Sequence, residues 1–524
     1  MASSYWLHAG MLRYLYMDAA QPAIEKRSLL LIMGALMLAM LLAALDQTIV
    51  STALPKIASD FNALDELSWV VTSYLIMSAV TTPLYGKLSD IFGRKVLLTS
   101  AVIIFLIGSA LSGISQSMIE LIIFRGIQGI GAGGLMTMVF ATIGDIVSPR
   151  ERGKYQGFIG AVFGVSSVVG PLLGGFFTDT LSWRWIFYIN LPLGLLALIA
   201  IATLLHVPTH KREHSIDYFG AVLLSGAIVT FLLAAVWGGS TYAWDSRQIF
   251  TLIAAGILFT IEFIWWQGKA KEPLIPLRLF KNYIFAVSSV LSFVSGLAMF
   301  AAIIYLPEYL QVVRGYSATV SGLLMLPLVL GLLSASITSG RIISSTGRYR
   351  IFPIAGTIIT TIGLLLMSTI TVDMPLALLS LWMLITGIGI GLFMQVMTLA
   401  VQNAIDHRDL GTATSTVTFF RSMGSSFGAS IFGAILVSRF ASHLALALPD
   451  APGLGAEVGS NMAALASLPA EVAGPVLQAF TNAFDDIFLY AAPVMVLAFF
   501  AALLLKEIPL RHSIREEGKE PVGM

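Results

Sequence analysis

Leu45-Asp46-Gln47-Thr48-Ile49-Val50-Ser51-Thr52-Ala53-Leu54-Pro55 falls inside the first long apolar segment of the chain, and a carboxylate in such a place needs a reason to exist. Ionisable groups in hydrocarbon are costly and usually mark an ion or substrate pathway. The composition says that hydrocarbon is the medium: 57% of the residues are hydrophobic, 11% are charged, and the mean hydropathy is +0.87. That is far too apolar for a soluble chain of 524 residues. A formal net charge of +1 gives no reason to expect a nucleic-acid partner. The chain has no cysteine, which excludes disulfides, thiolate metal sites and cysteine nucleophiles together.

Outward from that stretch, apolar runs of about 20 residues, the length that crosses the hydrocarbon layer, predict spans near Ser28 to Leu54, Leu67 to Tyr85, Val96 to Ile114 and Ile119 to Ile143. Others fall near Tyr155 to Thr178, Trp185 to Leu205, Tyr218 to Trp237, Ile249 to Trp266, Ile284 to Leu310 and Ser317 to Ser339. The last lie near Phe352 to Ile370, Pro375 to Val401, Gly411 to Val437 and Asp485 to Leu505. The predicted class is therefore an all-α polytopic membrane protein with fourteen spans. With both termini cytoplasmic, 23 Lys and Arg fall inside and five outside, the bias that sets membrane orientation. The first apolar run is too long for a cleaved signal peptide and contains Asp46; Met17 rather than Met1 is a candidate start.

Two tight turns repeat. Gly86-Lys-Leu-Ser-Asp90-Ile-Phe-Gly93-Arg94-Lys95 follows the second span, and Gly340-Arg-Ile-Ile-Ser-Ser-Thr-Gly347-Arg348 follows the tenth. Removing two central spans leaves two six-span halves with these turns in matching places, as in transporters built from repeats around a midplane site. The division is an N-terminal segment 1–27, a six-helix bundle 28–206, two inserted helices in 217–267, a second bundle 284–505 and a tail 506–524. A long extracytoplasmic loop is expected over 438–484; it is rich in Ala, Gly, Leu and Pro and has either a role of its own or that of a linker.

Several buried groups have two readings on their residues alone. Ala39, Ala43, Asp46 and Ala53 share one helical side, so Asp46 faces other helices and either handles a proton or cationic substrate or is a hydrogen-bonded structural acid. Arg125, with Gln128, Gly129 and Ala132 on its side, is a fixed positive charge or a donor to backbone carbonyls. The fifth span carries small residues and Pro171 at Gly157, Gly160, Gly164, Ser167, Pro171 and Gly174, which suits rocking or plain close packing. Asp90, Arg94, Arg150 and Arg152 form a cytoplasmic latch or a solvated cluster. Arg421 faces protein, in a binding or a packing role. Gln47, Tyr74, Gln128, Met394, Gln395, Phe420 and Arg421 are candidate walls of a cavity for a flat lipophilic cation. Glu262 and Glu308 lie nearer span ends, where long side chains reach the interface, and are not candidates. His206, His210 and His214 read as loop charge rather than metal ligands.

The turn Gly86 to Lys95 resembles the signature loop of the major facilitator superfamily, and Leu121 to Gly133, with Arg125, Gln128 and Gly129, resembles its fourth-helix motif. Gly170-Pro171-Leu-Leu-Gly174-Gly175 is similar to its antiporter motif. Leu45 to Pro55 and Trp183-Arg-Trp-Ile-Phe187-Tyr-Ile-Asn190-Leu-Pro192 resemble the fourteen-helix drug:proton antiporter branch, the EmrB/QacA type. Ser51 stands where that branch usually has Asn, and Ser344 where the first turn has Asp90. The resemblance implies a major facilitator fold of two six-helix bundles plus two central helices, with Asp46 and Arg125 in proton coupling. It also implies a gating role for Gly86, Asp90, Gly93, Arg94, Gly164, Gly170, Pro171, Gly174 and Gly175.

No nucleophile–base cluster, metal set or phosphate-binding loop with a Lys-Ser/Thr ending is present, so an enzyme is not expected. The expected function is proton-coupled export of lipophilic, often cationic compounds from a bacterial plasma or inner membrane, driven by the proton gradient without a cofactor. Export of a specific metabolite, sugar or siderophore is the alternative. A periplasmic adaptor and an outer-membrane channel are the accessory partners to look for.

Overall fold

The computed structural model describes residues 26–61, 63, 66–205, 217–239, 241–394, 396–406, 409–449 and 469–510. Gln395, the three histidines of the 206–214 segment and both candidate start methionines lie outside them. Every expected span falls in a helix. In the first half these are α1 (Lys26–Phe61), α2 (Leu67–Phe92), α3 (Arg94–Ile114), α4 (Met118–Ile146), α5 (Pro149–Thr180) and α6 (Trp185–Tyr188 continued by Asn190–Leu204). The inserted pair is α7 (Tyr218–Trp237) and α8 (Arg247–Gln267). The second half has α9 (Tyr283–Val312), α10 (Ala318–Leu324 and Leu326–Thr346), α11 (Ile351–Met367), α12 (Leu376–Phe393 and Val396–Ala404), α13 (Leu410–Ala447) and α14 (Ala470–Leu504).

By length and composition, 12 of the helices among the described residues can cross a membrane. The shorter α11 has 17 residues, and α2 is not among the twelve. Starts are fixed by side chains that take up free backbone N–H groups: Ser117 accepts from Glu120, Asp217 from Gly220, Ser246 from Ile249, Asn282 from Ile284 and Phe285, and Ser317 from Val320.

The repeat seen in the turns extends to packing. In the first half α2 packs on α4, α1 on α5 and α6, and α3 on α4; in the second half α10 packs on α12, α9 on α13 and α14, and α11 on α12. The same pairs recur eight helices later. The seam between halves is itself paired, α2 against α13 and α5 against α10, as a pseudo-twofold relation requires. The inserted α7 and α8 pack on each other, and α7 leans on α2 and α13 along one side of that seam. Both repeated turns end on a left-handed glycine, Gly93 at φ 91° and Gly347 at φ 74°, a conformation that side chains disfavour.

The expected 438–484 loop is corrected at both ends. Helix α13 continues to Ala447 and α14 begins at Ala470, because Phe440 and Leu444 lie one turn apart and face inward against Val476, Ala479 and Phe480. The rings of Phe440 and Phe480 stack with centroids 3.8 Å apart.

Candidate functional site

Asp46 lies on α1 and is fully buried. Its Oδ2 accepts from Arg125 Nη1 at 2.6 Å, and its Oδ1 accepts from Gln128 Nε2 at 2.8 Å and Asn190 Nδ2 at 3.1 Å. Arg125 and Gln128 stand three residues apart on α4, one face of that helix, and Gln128 Oε1 in turn accepts from Arg125 at 2.7 Å. Asn190 opens the second part of α6 and also donates to Ser109 Oγ of α3 at 3.0 Å. Arg125 Nε donates to the Val70 carbonyl of α2 at 3.3 Å, and its guanidinium lies 4.2 Å from the Tyr74 ring centroid. The carboxylate of α1 is thus held by α4 and α6, whose side chains are held in turn by α2 and α3. Taking both charges out of water costs several kcal/mol per ion unless such partners are supplied. One atom stays orphaned: Asn190 Oδ1 is buried with no hydrogen-bond partner.

Beside this network is a cavity of about 1180 Å³ between the halves. Arg125 forms part of its wall together with Gln47, Tyr74, Gly164, Pro171 and Met394; Asp46 does not line it and sits behind the arginine. Of the other sequence candidates, Gln128 belongs to the Asp46 network, while Phe420 and Arg421 are away from the cavity wall. Phe420 packs on Phe280 and Phe419. Arg421 lies 5.2 Å from the Phe140 ring of α4, across the seam. Glu308, set aside in the sequence as a span-end residue, lines the cavity, and Glu262 is exposed on α8.

The cavity reaches Arg314 and Gly315 at the α9–α10 connection, and the opposite end of the bundle is shut. There Arg94 pairs with Asp90 at 2.7 Å and Asp145 at 2.6 Å, and it also donates to Ser89. Asp90 reaches across the seam to accept from Thr412 N at 3.0 Å and Oγ1 at 2.9 Å. Gly86 abuts Ser415 so closely that a Cβ has no room. Arg150 bridges to the carbonyls of Ser344 and Ser345 at 3.0 Å, and Gln402 donates to the Phe140 carbonyl at 3.1 Å. Arg152 turns back to Val147 of its own half. Asp145, Thr412 and Gln402 were not candidates in the sequence because short polar residues at span ends carry no periodic signal.

Helix α5 joins the halves through its small residues. On one side Gly170 and Gly174 press on α1, where a Cβ on Gly174 would lie 2.6 Å from the Ile49 carbonyl, and Thr48 Oγ1 donates to the Ser166 carbonyl at 2.8 Å. On the other, Gly164 faces Val329 and Leu333, Pro171 faces Gly322, and Gly175 faces Thr319, all on α10. No group of three or more metal-ligating side chains occurs among the described residues.

Two pseudo-symmetric helical halves around a central chamber, open toward one end and sealed at the other, define a membrane transporter rather than an enzyme. The chain belongs to the Major Facilitator Superfamily, whose family model matches residues 36–429. It is 40% identical over 425 residues to the multidrug transporter protein MdtP of Bacillus subtilis (strain 168), covering 81% of this chain and 78% of that protein. It is 37% identical over 480 residues to multidrug resistance protein 3 of the same strain, covering 90% of this chain and 94% of that protein. Among solved structures, the proton:xylose symporter XylE superposes with a TM-score of 0.59 at 17% identity, covering 89% of this chain and 95% of that one, a likeness of fold.

Proposed function

We propose that the chain is a proton-coupled exporter of lipophilic, often cationic compounds, of the fourteen-helix antiporter type, in the cell membrane with both termini cytoplasmic. The single observation that carries this reading is the buried Asp46–Arg125 pair, 2.6 Å apart, whose arginine is part of the wall of the chamber between the halves. The multidrug names of two relatives support the substrate class.

On this reading the α2–α3 end is cytoplasmic and the form described is outward-open. A proton arriving at Asp46 from outside cancels the charge that balances Arg125. The arginine cannot give up its own proton, so the chamber wall becomes more positive and repels a cationic cargo outward. Release of the proton to the cytoplasm restores the pair and readies the inward chamber for the next molecule. Exchange of one proton for one monovalent cation moves no net charge, so the pH difference drives it, at about 1.4 kcal/mol or a tenfold accumulation per pH unit. Only for an uncharged cargo does the potential add about 2.3 kcal/mol per 100 mV. Asn190 takes part because its amide can present either nitrogen or oxygen to Asp46, and its unpartnered Oδ1 suits the protonated acid.

The test is transport of a cationic dye into everted proteoliposomes under an imposed pH gradient. Wild type should accumulate dye, and Asp46→Asn, which keeps the wall charge of the protonated form, should not accumulate it and should bind it more weakly. Gradient-driven accumulation by Asp46→Asn at the wild-type rate removes Asp46 from the coupling step.

A further inference from the structure

We propose that Glu308 is the anionic anchor of the cavity, the group that receives the positive charge of a lipophilic monovalent cation. This deepens the export reading above and rests on it. A cationic cargo needs a carboxylate it can reach, and Asp46 is not one: it lies off the cavity wall and already accepts from three side chains. Among the described residues, the charged ones that line the chamber are Arg125, Arg314 and Glu308. Arg314 is tied by Nη1 to the carbonyls of Val372 at 2.6 Å and Met374 at 3.1 Å. Glu308, by contrast, makes no hydrogen bond or ion pair among the described residues and is only half-buried.

Its own helix supplies a second acceptor. Pro307 lies inside α9 and has no N–H to give the Ile303 carbonyl one turn earlier, and Ile303 also lines the chamber. Around these acceptors, Met299, Met325, Leu328, Val329 and Met394 offer the adaptable apolar surface that suits varied lipophilic bodies. An ion pair formed in such surroundings is stronger than one in water. Glu308 stands on the second half and Arg125 on the first, so the cation is drawn by one half and repelled by the other when Asp46 takes its proton.

The experiment is calorimetric binding of tetraphenylphosphonium and of uncharged triphenylphosphine oxide to the purified full-length protein at pH 8. It needs no proton gradient, so it reads the anchor separately from coupling. For Glu308→Gln the cation should weaken by about tenfold or more with the neutral ligand unchanged, and Glu308→Asp should keep the preference for the cation. Unchanged cation affinity in Glu308→Gln overturns the inference and leaves the export reading standing. Equal loss of both ligands, or loss in Glu308→Asp as large as in Glu308→Gln, overturns it as a matter of shape rather than charge. If wild type binds neither ligand, the anchor and the export of lipophilic cations fall together.

Discussion

Removing one member of the Asp46–Arg125 pair should cost far more than half of what removing both costs. In Arg125→Leu the carboxylate keeps Gln128 and Asn190 as donors but loses its counter-ion, and an unpaired buried charge costs about 3–5 kcal/mol. In Asp46→Asn the guanidinium keeps the Gln128 and Val70 oxygens and the Tyr74 ring, which places it near the lower end of that range. The double variant Asp46→Asn/Arg125→Leu buries no charge at this point. Its cost should therefore fall short of the summed single costs by about 2 kcal/mol or more, within the coupling range of groups in direct contact. Unfolding of the purified variants by SDS in mixed micelles, followed by tryptophan fluorescence, measures the cycle. A coupling below about 0.5 kcal/mol refutes the reasoning, because the pair would then be screened and Asp46 not truly desolvated. The double variant also separates stability from mechanism: it should regain structure and still fail to accumulate dye under a pH gradient.

Asp90→Ala removes an ion pair and two hydrogen bonds that tie Asp90 to Arg94 and Thr412; at about 1.5–3 kcal/mol for a charged hydrogen bond, opening of that end should rise by more than about tenfold. The chain has no native cysteine, so spin labels at Glu151→Cys and Ser345→Cys report it directly as a longer distance distribution; an unchanged distribution means that Asp90 is no latch. Gly174→Leu should lower yield and melting temperature because its Cβ alone would press on the Ile49 carbonyl, whereas Gly34→Ala, with nothing within 4 Å, should be neutral or gain up to about 1 kcal/mol from helix propensity; equal behaviour of the two would show that α1 and α5 are not in close contact. Asn190→Leu should slow gradient-driven transport while dye binding persists, and wild-type transport rates in that variant would remove its amide from the proton step.

The fold was legible because its signals are long. Twenty-residue apolar runs and the paired glycine turns at Gly93 and Gly347 survive local noise, and they located the helices, though not the facing ends of α13 and α14. The core of the site was legible for a different reason: Asp46, Arg125 and Gln128 are polar residues at helical spacing among small ones, where a lipid-facing helix carries none. Asn190 was visible only as part of a motif, since one amide at a helix start is common and its partner Asp46 lies 144 positions away. Glu308 was set aside because distance from a span end was measured on the sequence, whereas the chamber extends along α9 as far as Arg314 and takes in Glu308. Contacts across the seam, such as Asp90 with Thr412, depend on how two halves meet, and neither half encodes that alone.

The repeat supplies geometry without supplying chemistry twice. Helix α9 holds the place of α1, and α12 that of α4, yet among the described residues no carboxylate–arginine pair joins them at the corresponding contact. The buried Arg421 of that half sits on α13 and takes the Phe140 ring of the opposite half as its neighbour. Proton chemistry at both centres would let either half respond to a proton without the other, and a cargo could slip past. On the proposed reading, with the charge change at Asp46 in the first half and the cation anchored at Glu308 on the second, the free energy of protonation would act across the seam, between two bodies that move relative to each other. Gly164, Pro171 and Gly175 of α5 and the hydrogen bonds from Arg150 and to Asp90 that cross the seam lie where those two bodies meet.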